Sequence, residues 1–140
     1  MRLEVFEIFD QFKKASNKKE RVAVLQKYSK IPAFSDVLRA TFDDKLQFNL
    51  PEGSPPYTPN KPESTPSTLL KKHMMFSYFV KGFNGDSLPA FKRENLFIQL
   101  LESVHPEDAK IVLGMKDKDL KIKFLTKKLV QEALPDLIKD

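Results

Sequence analysis

The chain has 140 residues, of which 41% are apolar and 31% charged, with ten Pro, four Gly, no Cys and a net charge of +5. That length suits one domain with a modest core, and the missing cysteine excludes disulfide staples, thiolate metal sites and cysteine nucleophiles. No apolar run nears the roughly 20 residues that cross a bilayer, and the acidic opening MRLEVFEIFD is no signal peptide, so a soluble, intracellular protein is expected.

Helical periodicity begins at once. Residues 3–14 put Val5, Phe6, Phe9 and Phe12 on one stripe, with Leu3 and Ile8 beside it. Asn17 and Glu20 have capping-box spacing, so a second helix runs to about Tyr28 and buries Val22 and Leu25. Pro32 suits a first helical position, and Phe34, Val37, Leu38 and Thr41 follow the 3.6-residue period, with Phe42 adjoining. LQFNL (46–50) reads as a short extended piece. Prolines at 51, 55, 56, 59, 62 and 66 then remove amide donors and block helix, leaving an ordered crossover or a mobile polyproline-type loop. TLLKKHMMFSYFVKG is apolar on most sides over Met74–Val80, which predicts the central, most buried helix, ended by Gly82 or Gly85.

Ser87 and Pro89 open the next helix, with Phe97, Leu100, Leu101 and Val104 inward. His105-Pro106-Glu107-Asp108 reads as a cap, a first-position proline and two carboxylates that suit a helix dipole. The helix through Lys116 turns Ala109, Val112 and Leu113 inward, and Thr126 caps a last one whose stripe is Leu129, Val130, Ala133, Leu134 and Leu137. The expectation is an all-α, compact single domain of about seven short helices with one long proline-rich loop at about 46–66.

Charge is uneven. Residues 13–30 carry seven basic side chains against Glu20, a net +6. Residues 116–128 carry six lysines against two aspartates, a net +4, so the rest of the chain sums to −5. Two basic clusters on an otherwise acidic protein point either to an anionic partner, nucleic acid being the commonest, or to a solvated lysine surface. Catalytic chemistry has little to build on. The two histidines, His73 and His105, lie far apart in sequence, no glycine-rich phosphate loop exists, and GxSxG and HExxH are absent. Asp43-Asp44 and Glu107-Asp108 read as turn and cap residues. No enzyme, cofactor or metal is expected. The phenylalanines sit at core spacing, except that Phe124, between Lys123 and Leu125, has an open direction.

Two resemblances bear on function. Through LPEGSPPYTPN (50–60), ENLFIQLLESVHPEDAKIVLGMKDKDL (94–120) and LTKKLVQEALPDLI (125–138), the chain is similar to a family of small proteins of T-even-like bacteriophages, notably marine ones infecting cyanobacteria. This implies phage origin, a place in the cytoplasm of the infected host, and little chemistry. More distantly, the layout resembles the helical N-terminal DNA-binding domain of T-even phage ATP-dependent DNA ligase. KKERVAVLQKYSK, then Leu38-Arg39-Ala40-Thr41-Phe42, Lys118-Asp119-Leu120 and Pro135-Asp136-Leu137-Ile138 carry this likeness. It implies a duplex-backbone contact at the last loop and helix start, where free amides and lysines suit phosphate. By position Lys118 matches the family's basic residue and Thr126 a hydroxyl, with Lys121, Lys123, Lys127 and Lys128 as neighbours. Lys18, Lys19 and Arg21 join them from the first cluster. The ligase loop has a glycine where this chain has Lys123, which puts close backbone approach in doubt, and the Lys-x-Asp-Gly nucleophile motif and catalytic domain are absent.

The leading expectation is therefore a non-catalytic module that binds double-stranded DNA through backbone phosphates. The alternatives are a protein-interaction factor acting through the 51–66 loop or an exposed apolar patch on a host or phage enzyme, or a minor virion component. The DNA reading needs both basic clusters on one face.

Overall fold

Helix α6 (Pro106–Lys116) is the axis of the molecule. In this computed structural model, which describes residues 3–138 and all their side chains but that of Ser64, α6 packs against α1 (Val5–Lys14), α3 (Pro32–Phe42) and α5 (Ala90–Ser103). Helix α2 (Lys18–Lys27) joins α1 to α7 (Lys127–Ala133), and the short α4 (Leu69–Lys72) lies on α3. The all-α expectation holds. Among the described residues the β pairing amounts to one antiparallel bridge, Phe48 to Val80, within the stretch read as extended.

The local signals act as expected. Pro32 and Pro106 open α3 and α6, Asn17 accepts from Glu20 N at 2.9 Å, and the Thr126 hydroxyl accepts from Leu129 N at 3.2 Å. The His105 ring accepts from Glu107 N at 3.0 Å. Val5, Ile8, Phe9, Phe12, Leu25, Phe34, Val37, Leu38, Phe97, Leu100, Leu101 and Val130 form the core that periodicity predicted. Phe6 departs from it: half-buried, it stacks on His105 with ring centroids 4.3 Å apart.

The expected central helix at Met74–Val80 is not there. After α4 the chain tightens into a 3₁₀ helix, His73–Tyr78, and Met74 is 75% exposed. The apolar run has the wrong period for α-helix burial. Phe76 and Phe79 turn inward three residues apart, the repeat of a 3₁₀ turn, and leave Met74 and Tyr78 outside. The central position falls to α6, where Asp108, Ala109, Ile111, Val112, Met115 and Lys116 are all buried. Gly82 takes the left-handed conformation expected of it, with φ +88°. Gly85 serves by smallness instead, because a Cβ there would stand 1.7 Å from the Tyr78 carbonyl oxygen.

The proline-rich crossover is ordered by cations. Prolines leave carbonyls without neighbouring amide donors, and buried long side chains supply the donors. Lys116 Nζ gives 2.8 Å hydrogen bonds to the carbonyls of Pro51 and Gly53. The Arg93 guanidinium holds the carbonyls of Asn49, Gly85 and Leu88 at 2.8, 3.1 and 3.0 Å. Further along, Glu102 accepts from Thr58 N at 2.8 Å and Tyr57 packs half-buried against the core.

Candidate nucleic-acid interface

The two basic clusters meet where α2 packs on α7. Lys18 and Lys19 are the first residues of α2, and Arg21 follows on the same turn. Across from them, Lys18 Nζ pairs with Glu132 at 2.8 Å and Gln26 Nε2 donates to the Ala133 carbonyl at 3.1 Å. Lys18, Arg21, Phe124, Thr126, Lys128, Leu129 and the carboxylate Glu132 line one cleft of about 250 Å³. Residues more than 100 positions apart in sequence thereby share one positive surface.

The loop between α6 and α7 owes its course to Gly114. A Cβ at that position would lie 2.8 Å from the Asp119 carbonyl oxygen, so only glycine lets the returning chain lie against α6, where Asp119 N also donates to Gly114 O at 2.8 Å. Ile122 and Leu125 plug the core. Turning both inward within four residues demands sharp reversals, and Lys118, Lys121 and Phe124 take φ values of 62°, 56° and 70°. The left-handed backbone that usually falls to glycine is therefore adopted here by lysine and phenylalanine, at a cost of about 1 kcal/mol each. Lys121→Gly should accordingly raise stability by roughly 0.5–1 kcal/mol, read as a shifted urea midpoint with unchanged slope. A loss of stability would mean that the left-handed turn carries no strain.

The nine residues expected on the interface do not share one fate. Lys18, Arg21, Thr126 and Lys128 line the cleft, and Lys19 and Lys123 are exposed beside Lys18 and Phe124. Lys121 is exposed on a separate groove with Lys13, Lys110, Asp10 and Asp119. Lys127 reaches Asp44 at 3.0 Å. Lys118 turns into the fold and donates to the carbonyls of Ala40 and Asp43 at 2.6 and 2.9 Å, closing the C-terminal end of α3. Burial lowers its pKa, with Asp43 and Asp44 opposing the shift. Lys116, counted with the same charge run, is buried on the crossover. Helix α7 spans only seven residues, and the Thr126 hydroxyl already accepts from its Leu129 amide, so side-chain cations are what this face offers an anion.

Sequence reasoning left Phe124 undecided. Its ring is 51% exposed, with the Arg21 guanidinium carbon 3.8 Å from its centroid and Lys123 Nζ at 5.0 Å. Asp108, read as a cap residue that suits the helix dipole, is fully buried at the meeting of two helix N-termini. One oxygen accepts from Phe6 N of α1 at 2.8 Å, and the other has no partner. Burial first, then the charges of Glu4, Glu7 and Glu107, push its pKa up to about 7, against the Phe6 hydrogen bond. Glu4, also with a partnerless oxygen, is raised by burial and Glu7 and held back by His105. His73 is bound to Asp36 at 2.6 Å. Among the described residues no group of three His, Asp or Glu is placed to hold a metal, and no helix is long and apolar enough to cross a membrane.

The profile of the family of unknown function DUF6433 matches residues 8–122. The chain belongs to that family. The matched region runs from α1 through α6 to Ile122, so it includes the start of α2, Gly114 and Lys121. Phe124, Thr126, Lys127 and Lys128 follow it. No curated protein matches the sequence.

Proposed function

We propose that this DUF6433 member is a non-catalytic phage module that grips DNA through its phosphates, comparable to the DNA-binding domain of a T-even ligase without the catalyst. The observation that carries the reading is the convergence of the start of α2 and the 124–129 segment, with Lys18, Arg21 and Lys128 outnumbering Glu132 around a shared cleft. The layout resemblance agrees with it. Lysine and arginine heads on flexible stems neutralise phosphates without reading base edges, so little sequence preference is expected. The rival reading, a protein-interaction factor, draws on exposed Met74, Phe83 and Phe91, which lie outside the 51–66 loop.

A titration of labelled duplex at several salt concentrations separates the two. Each neutralised phosphate adds about 0.9 to the slope of log affinity against log salt. Engagement of the six exposed or cleft-lining cations Lys18, Lys19, Arg21, Lys121, Lys123 and Lys128 gives a slope of roughly −5 to −6. No detectable duplex binding at about 50 mM salt would overturn the proposal.

A further inference from the structure

We propose that Phe124 is a stacking platform for an unpaired nucleobase, so that the cleft between α2 and α7 takes single-stranded DNA or a frayed duplex end as well as a continuous backbone. This rests on the DNA-binding reading and specifies what lies at its centre.

Phosphate contact alone has no use for an aromatic ring. Phe124 is nevertheless half open to water while its neighbours Ile122 and Leu125 are buried. Its backbone, at φ 70°, belongs to the turn that buries Ile122 and Leu125 and leaves the Phe124 ring outside. Arg21 lies over one face of the ring at 3.8 Å, so the face left for a base is the opposite one. The ring borders the cleft, and Lys128, the Thr126 hydroxyl and Lys18, which is paired with Glu132 at 2.8 Å, stand around it. A ring beside cations is the arrangement that holds a base by its face and its flanking phosphates by charge. Inside a duplex both faces of each base are covered by its neighbours, so only an unpaired base can use the ring.

The test compares a single strand of roughly 12 nucleotides with a blunt duplex of the same length, using the wild-type chain, Phe124→Leu and Phe124→Trp. Leucine keeps apolar bulk and removes the π-face. Phe124→Leu should lose about tenfold to a hundredfold in affinity for the strand and stay within about twofold of wild type on the duplex, where phosphates dominate. The chain has no tryptophan, so Phe124→Trp creates a single reporter whose fluorescence should be quenched by the strand. An unquenched reporter, or a Phe124→Leu variant that binds the strand like wild type or weakens equally on both DNAs, overturns the stacking role. In those cases wild-type duplex binding persists and the phosphate reading survives. If wild type binds neither DNA, both proposals fall together.

Discussion

Replacing Lys19, Lys121, Lys123 and Lys128 together by alanine should weaken duplex binding on the order of a hundredfold or more at low salt and reduce the salt slope by about 3 to 4. These four ammonium groups are exposed: Lys19, Lys123 and Lys128 stand on the segments that meet at α2 and α7, and Lys121 on the separate groove with Lys13 and Lys110. Lys116 and Lys118 are deliberately left in place, because their ammonium groups hold backbone carbonyls of the crossover and of α3. Removing either would orphan buried acceptors, and a folding defect would imitate a binding defect. Exposed lysines change stability by only a few tenths of a kcal/mol each, so the variant should unfold close to the wild-type midpoint. A matched variant with Lys61, Lys71, Lys81 and Lys92 changed to alanine loses the same charge from exposed positions outside both clusters. If it loses as much affinity as the first variant, net charge governs binding and the face does not. An unchanged slope in the first variant would move the contact surface elsewhere.

Stability should fall as pH rises from about 4 to about 7 and then level off, with Asp108→Asn removing most of that fall. The Asp108 carboxyl has an ordinary pKa of 3.8 in an unfolded chain and is pushed up to about 7 in the fold, where burial disfavours its charge. Between those values the folded state holds more protons than the unfolded one, so rising pH favours unfolding. Below the window both states are neutral at this site, and above it both are ionised with the penalty fully present. At about 1.4 kcal/mol per pH unit, the penalty reaches roughly 4 kcal/mol as an upper bound above pH 7. The surroundings add nothing cationic on the α1 side, where Glu4 and Glu7 face it, and Glu107 adds a third like charge from its own helix. Asparagine keeps an acceptor for Phe6 N and cannot ionise. The variant should therefore exceed wild type by about 2–4 kcal/mol at pH 8, with the gap closing toward pH 4. Urea melts across this range measure the difference directly. A gap independent of pH would show that Asp108 is ionised throughout.

Much of the scaffold was legible because its signals are local. Asn17, Pro32, Pro106 and Thr126 mark helix starts through bonds to amides within one turn, and the stripe from Val5 to Phe12 or from Phe97 to Leu101 needs only the helical period. The misplaced central helix marks the edge of that logic. Met74–Val80 has apolar residues in abundance, but whether they repeat at 3.6 or at three depends on the cramped turn between α4 and the Gly85 contact with Tyr78. The candidate site was legible as charge and not as geometry. A lysine in the sequence is one positive charge, and only its surroundings say whether that charge is offered or used.

The sequence by itself determined the all-α class, the helix starts, most of the core, and the absence of cysteine chemistry, because these follow from residue type and spacing over a few positions. Tertiary structure alone decided that Lys116 and Lys118 hold carbonyls of distant segments, that Asp108 is buried beneath α1, and that Phe124 stands in the cleft beneath Arg21. The physical reason is reach. A long side chain binds whatever acceptor the fold brings to its tip, and here those acceptors lie 63 to 78 residues away for Lys116 and Lys118.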